Sequence, residues 1–188
     1  MRLRARVAAA AVLATLAGCA LPHDTPRLTQ QLDAPFVPTE DAAVAVMLRE
    51  ARVGPGDVVY DLGSGDGRIV IAAAKDFGAR GVGIELDPAL IRQSQDAAVR
   101  AGVTDRTTFV WKDIFEADLS PATVVTVYLF PEVNERLLPK FRRELRPGTR
   151  VVSHQYAIGD WKPARSLLIQ GPSRSHTLLF WTVPERWN

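Results

Sequence analysis

Val58-Val59-Tyr60-Asp61-Leu62-Gly63-Ser64-Gly65-Asp66-Gly67 is the stretch that decides the fold. Its first half, with Asp57 before it, is a short apolar run that reads as a β-strand. The residues from Gly67 to Phe77, rich in Ala and Ile, read as a helix. The glycines between them permit positive φ and a close approach of backbone to ligand. The helix start offers unpaired N–H groups and the positive end of a dipole, which suits an anionic group. Asp61, at the strand tip, suits an amino group through a charge-assisted hydrogen bond. A dinucleotide loop would read G-x-G-x-x-G; here the spacing is G-x-G-x-G, and Arg68 stands where that third glycine belongs. The loop therefore points to a nucleoside-like ligand other than NAD or FAD.

Working outward, the apolar period keeps changing between strand and helix. Ala42–Ala51 is helical, with Thr39 as its expected N-cap and Asp41 in its first turn. Gly81–Glu85 is a second strand. Pro88–Ala101 is a helix with Pro at its start and Gly102 past its end. Thr107–Trp111 is a third strand and Thr123–Leu129 a fourth, nearly all apolar as a strand buried on both faces should be. Pro131–Leu145 is a helix closed by Pro147-Gly148, and Thr149–His154 is a fifth strand. Ser166–Gln170 and His176–Val183 form a terminal hairpin. This order predicts an α/β fold: a seven-stranded, mostly parallel sheet with a C-terminal antiparallel hairpin and helices on both faces. Ligands in such sheets bind at the carboxyl ends of the strands. Glu85, 24 residues after Asp61, ends the second strand, where a carboxylate accepts both hydroxyls of a ribose. Ile84 or Leu86 is the neighbour that packs on the base.

The chain has 188 residues, 47% hydrophobic and 23% charged, enough for one ordinary domain. Its formal charge of +2 is smaller than the contribution of Arg2, Arg4 and Arg6, and no acidic residue lies among the first 18. The remainder therefore has no basic excess, which disfavours nucleic acid as partner. Those arginines and the apolar run Val7–Ala17 resemble the start of a secretory signal; the run is shorter than the roughly 20 residues a bilayer span needs. Leu16-Ala17-Gly18-Cys19 resembles a bacterial lipobox. The expected organisation is a lipoprotein-type signal peptide over 1–18, a proline-broken tether over 19–35 and a catalytic domain over 36–188. The lone Cys19 would be lipidated and would anchor the chain on the periplasmic side, with the outer membrane favoured because Ala20 carries no acidic retention signal. If the signal is not used, the chain is cytoplasmic.

Phe36-Val37-Pro38-Thr39, the run from Asp61 to Ala74 (DLGSGDGRIVIAAA) and Val151-Val152-Ser153-His154 carry a closer resemblance. Residues 35–160 resemble a small family of class I methyltransferases with a Rossmann-like fold. It includes bacterial proteins and the mitochondrial lysine methyltransferases acting on the ATP synthase c-subunit and the adenine nucleotide translocase. The resemblance implies S-adenosyl-L-methionine (SAM) as methyl donor and no metal. It implies binding of SAM by Asp61, Gly63, Ser64, Gly65, Gly67 and Glu85. Asp113 would meet the adenine amino group, Ile114 would cover the ring, and Phe36 and Thr39 would close over SAM. Apart from the resemblance, Asp113 also suits a helix N-cap, and Phe36 with Thr39 suits a hydrophobic staple and cap.

The sequence departs from many amino-methyltransferases after the fourth strand. Those place Asn or Asp before Pro-Pro-Tyr; this chain has Tyr128-Leu129-Phe130-Pro131. No amide or carboxylate stands there to hold a nucleobase amine. An aromatic wall remains, suited to a lysine side chain through cation–π attraction, unless Tyr128 and Phe130 are core. Glu132 and Asn134 are polar neighbours without a role. Tyr128 is one candidate catalytic residue. His154, expected at the mouth of the cleft, is the other, although a lone histidine at a strand end is more often structural. His23 and His176 have no evident partner. The expected function is N-methylation of a protein lysine, with a protein or membrane-associated acceptor. The alternative is a lipid-anchored nucleoside-binding protein without turnover.

Overall fold

A computed structural model of the chain describes residues 36–187. The expected signal, the tether and Cys19 lie outside the described residues. Within them, four helices and seven strands alternate: α1 (Asp41–Glu50), β1 (Val58–Leu62), α2 (Arg68–Phe77), β2 (Arg80–Glu85), α3 (Pro88–Ala101), β3 (Thr107–Trp111), β4 (Val124–Val127), α4 (Pro131–Glu144), β5 (Arg150–His154), β6 (Arg165–Gln170) and β7 (Ser175–Thr182). They build one sheet in the order β3-β2-β1-β4-β5-β7-β6. Strands β1 to β5 run parallel, and β7 is antiparallel to both β5 and β6. The strand order reverses between β1 and β4, the place where open α/β sheets form their ligand crevice. The register sets Asp61 beside Gly83 on one side and Thr126 on the other.

Period-two alternation sorts the core onto two faces. Val59, Val124, Val152 and Phe180 pack under α1 and α2, meeting Val44, Met47, Leu48, Ile69 and Ala73. Leu62, Val125, Val127 and Val151 pack under α4, meeting Leu137, Leu138 and Phe141. Ala98 of α3 and Ala74 of α2 close a smaller cluster with Val103. Trp161 packs at a tilt against Trp181 and edge-on against Trp187, while Trp111 sits half-exposed on the edge strand.

One glycine sets the distance between α2 and the sheet. A Cβ on Gly81 would lie 2.9 Å from the Val70 carbonyl oxygen and 2.7 Å from its Cγ1. The helix backbone cannot yield as a flexible side chain can. Gly81→Ala is therefore expected to destabilise the fold by about 2 kcal/mol or more through overpacking, measurable by urea unfolding.

Three local expectations are corrected. β4 is shorter than the apolar run, because Tyr128, Leu129 and Phe130 leave the sheet to reach Pro131 at the start of α4. β1 begins at Val58: Asp57 instead closes the preceding turn, accepting from Gly54 N–H (2.9 Å) and from the Thr123 hydroxyl (2.7 Å). Thr39 does not cap α1. Glu40 holds the N-cap position without a capping hydrogen bond, and both side chains are engaged elsewhere, as described below.

Candidate functional site

The crevice at the β1–β4 reversal is a cleft walled by the N-terminal segment 36–39, the glycine loop, the tips of β2 and β3, and the segment after β4. Phe36, Thr39, Asp61, Gly63, Ser64, Glu85, Asp113, Ile114 and Tyr128 all line it. So do Asp66 and Arg68, which no pattern in the sequence assigns to a site. Of the two apolar neighbours considered for a base, Leu86 faces the cleft, while Ile84 lies in the core.

Gly63, Gly65 and Gly67 all have positive φ (77°, 53° and 79°), and that curl brings the loop back onto β2. Gly63 N–H and Ser64 N–H donate to the Ile84 carbonyl (2.9 and 3.0 Å), and Gly67 N–H donates to the Ser64 carbonyl (2.9 Å). Gly65 N–H donates to Glu85 Oε2 (2.9 Å). Arg68 N–H, at the helix start, reaches Asp66 Oδ1 at 3.3 Å. The loop thus spends these N–H groups on its own shape, while the helix start keeps Ile69 N–H and Val70 N–H without a backbone acceptor among the described residues, as expected of a first turn. The space left by the missing Cβ atoms is taken by protein side chains, Leu129 at Gly63 and Phe109 with Ser94 at Gly67. Phe36 does the same at the third glycine: its ring lies over Gly65, where a Cβ would collide with it. Ser64 turns its hydroxyl onto Gly83, where a Cβ would sit 2.6 Å from Oγ; that oxygen is buried without a hydrogen-bond partner among the described residues.

Asp61 is 4% exposed. Its Oδ1 accepts the Thr126 hydroxyl at 2.7 Å; Oδ2 has no hydrogen bond among the described residues. Burial, reinforced by the charges of Glu85 and Asp66 and only partly offset by Thr126, pushes its pKa up from 3.8 to about 7. A buried carboxylate with one neutral partner is suited to a cationic ligand. Glu85 is differently placed. Its Oε1 accepts from Leu86 N–H and Asp87 N–H (2.8 and 2.9 Å), and its Oε2 from Gly65 N–H. About three of a carboxylate's four acceptor positions are thereby taken, which narrows the expected acceptance of two ribose hydroxyls. Asp113 accepts from Phe115 N–H (2.8 Å) while lining the cleft, so turn cap and cleft residue coincide.

Arg68 clamps the N-terminal segment. Its guanidinium pairs with Asp66 (2.6 Å), donates to the Thr39 carbonyl (2.9 Å) and lies 3.5 Å from Asp41. Asp66 keeps it firmly protonated. Even so, Asp61, Asp66, Glu85, Asp87 and Asp113 outnumber this one base along the cleft wall. The wall favours a ligand of net positive charge.

On the far side, Tyr128 leads an aromatic group with Tyr156 (centroids 6.4 Å apart), and Phe130 lies 6.5 Å from Tyr156. Phe130 is 41% exposed and Tyr128 half-buried, so neither is plain core. Asn134 is buried and donates to the Ala157 carbonyl (3.2 Å), a tie within the fold. His154 is not at the mouth of the cleft. It is fully buried behind Tyr128, ring centroids 4.0 Å apart, and hydrogen-bonded to His176, which therefore does have a partner. Burial, with the charges of His176 and Arg174, lowers its pKa from 6.5 to about 4, so it is neutral near pH 7 and poorly suited as a base. Helix length gives no membrane span: among the described residues no helix is long and apolar enough to cross a bilayer.

Known proteins share both the sequence and the fold. A family model described as the ANTKMT methyltransferase domain matches residues 61–165, more than half of the chain. A protein-lysine N-methyltransferase from Saccharolobus islandicus is 45% identical over 80% of this chain and 94% of its own length. The lysine N-methyltransferase of Xenopus laevis that acts on the ATP synthase c-subunit is 36% identical over 80% of this chain, which spans 66% of that protein. Among solved structures, an RNA methyltransferase from Salinibacter ruber in complex with S-adenosyl-L-homocysteine is 51% identical, with a TM-score of 0.77 over 81% of this chain and 97% of that one. Its bound product of methyl donation identifies SAM as the donor, and the underpartnered Asp61 in an acidic cleft suits SAM's net positive charge. With sequence, fold and cleft in agreement, the chain belongs to the ANTKMT methyltransferase domain family of SAM-dependent methyltransferases.

Proposed function

We propose that this methyltransferase acts on the side-chain amine of lysine in a protein. The observation that carries the reading is the acceptor end of the cleft: Tyr128, Phe130 and Tyr156 gather there, and the Tyr128–Pro131 segment after β4 carries neither amide nor carboxylate. An aromatic mouth attracts a lysine ammonium by cation–π interaction, and burial of its stem then favours loss of the proton. The lysine-methylating relatives support the same class of acceptor.

In this reading Asp61 holds the amino group of SAM and Glu85 holds its ribose at the remaining acceptor position. Asp113 meets the adenine, Ile114 and Leu86 cover it, and Phe36 closes over the loop. SAM supplies an electrophilic methyl on a sulfonium. The protein supplies alignment and exclusion of water, and alignment alone is worth several kcal/mol.

A second reading, RNA as acceptor, has the name of the Salinibacter ruber relative in its favour. Against it, residues 36–187 carry as many acidic as basic side chains, whereas RNA binding rests on a basic surface. Incubating the protein with methyl-labelled SAM and separate protein and RNA fractions of a host extract distinguishes the two. Lysine-linked label, located by mass spectrometry, is the expected result; label confined to RNA would overturn the lysine reading. Anchoring through lipidated Cys19 is part of the same proposal. Palmitate label on the wild type that disappears in Cys19→Ser is expected, and an unlabelled wild type would remove it.

A further inference from the structure

Behind Tyr128 runs a buried chain of polar side chains that begins at Thr39 on the cleft wall. Thr39 Oγ1 lies 3.1 Å from His154 Nδ1, and His154 Nε2 lies 2.9 Å from His176 Nδ1. His176 Nε2 lies 3.1 Å from Glu40 Oε2. Thr39 is 4% exposed and both histidines 0%. The last contact is at ion-pair distance but falls short of hydrogen-bond alignment, and neither atom has another partner among the described residues. Leaving two such buried groups unmatched is costly, so each is the other's natural partner. The second oxygen of Glu40 takes the Ser173 hydroxyl in the β6–β7 turn. That contact explains why Glu40, at the N-cap of α1, caps nothing.

With both rings neutral, one direction of donors satisfies this chain. An ionised carboxylate only accepts, so His176 Nε2 carries the hydrogen and, in a neutral ring, Nδ1 accepts. His154 Nε2 is then the donor between the rings. Because His154 is neutral, its Nδ1 accepts, and its partner there is the Thr39 hydroxyl. Having committed its hydrogen to His154, Thr39 Oγ1 has only lone pairs left to offer, and Thr39 is one of the residues that line the cleft.

We propose that Glu40, His176 and His154 are positioning residues that lock Thr39 Oγ1 as a hydrogen-bond acceptor for the amine receiving the methyl group. The proposal rests on the lysine reading. Thr39 would hold one N–H of the bound amine so that the nitrogen lone pair is left to face the methyl. The ring of Tyr128, packed at a tilt against His154, would be held in place by the same chain. No charge is needed on either histidine.

Two measurements test this. Long-range ¹H–¹⁵N spectra of the ligand-free protein report histidine tautomers without any acceptor. Both His154 and His176 are expected as the Nε2–H form; an Nδ1–H form at either ring would overturn the proposal whatever the acceptor proves to be. Kinetics on the lysine substrate are the second. Thr39→Val is expected to lower kcat roughly 10-fold or more, the weight of a hydrogen bond to a charged or reacting group. S-adenosylhomocysteine affinity should stay within about 2-fold, because the proposal gives Thr39 Oγ1 to the acceptor instead of the closure over SAM that the resemblance implies. Thr39→Ser should restore most of kcat. Wild-type kcat in Thr39→Val, or loss of S-adenosylhomocysteine affinity in step with kcat, would overturn it. Correct tautomers in a protein that labels no lysine would instead count against the lysine reading.

Discussion

Asp61→Asn is expected to weaken SAM binding by roughly 100-fold or more, the scale of losing one partner of a buried charged pair. The same substitution should make the ligand-free protein more stable. The native Asp61 carboxyl titrates near 7, against an ordinary value of 3.8. Between those values the native state holds a proton that the unfolded chain has released. Stability therefore falls as pH rises through that window, and the loss is complete above it. Its full size is about 4 kcal/mol by proton linkage. Asn keeps an oxygen for the Thr126 hydroxyl and carries no charge, so the loss should vanish in Asp61→Asn. Urea unfolding of ligand-free wild type and variant from pH 5 to 8 measures it: the curves should diverge as pH rises, with the variant above. Parallel curves would mean that Asp61 is not the strained group described here. Ligand binding should carry the same signature. On the proposed placement of SAM's amino group at Asp61, which favours the ionised carboxylate, wild-type affinity should rise with pH up to about 7 and then level off.

Glu85→Ala should do the reverse to the fold. Removing that carboxylate leaves Gly65 N–H, Leu86 N–H and Asp87 N–H without their acceptor. Water can reach part of this turn, but Gly65 N–H is in the buried part of the network. A loss of about 2–4 kcal/mol is expected, or a Tm lower by roughly 5–10 °C. SAM binding should fall as well, because the loop loses its shape and, on the proposed placement, the ribose loses its partner. Differential scanning calorimetry of the ligand-free protein separates the two effects. An unchanged Tm with weakened binding would show that Glu85 serves the ligand alone. Two carboxylates at adjacent strand tips are thus expected to act in opposite senses on stability. One strains the fold to meet a cation, and the other builds the loop beside it.

Much of the frame is legible from local signals. Pro88 and Gly102 bracket α3 as proline and glycine should, and the Val124–Val127 run, apolar but for Thr126, is a strand buried on both faces. Asp61, Glu85 and Asp113 can be placed because each lies at or just past the end of a parallel strand, and parallel strands bring their ends to one edge. What is not legible lies in contacts between distant parts of the sequence. Thr39 and His154 are 115 residues apart and His154 and His176 are 22 apart, and no periodicity links them. Local pattern therefore sets His154 at the mouth of the cleft, where the fold buries it, and leaves His176 without the partner that the fold supplies. Arg68 reads in sequence only as a departure from a dinucleotide loop. Its hold on Thr39 and Asp41 depends on how the N-terminal segment folds back, which a one-dimensional pattern does not carry. Glu85 shows a third kind of miss: its residue type signals a ligand, while its backbone partners come from a loop whose curl only the structure shows.

The most direct test is the structure of this protein with S-adenosyl-L-homocysteine bound. The amino group should lie within hydrogen-bond distance of Asp61, the ribose on Glu85, and the adenine between Leu86 and Ile114 near Asp113. A ligand lying elsewhere, or reversed with its adenine toward Asp61, would contradict the site described here.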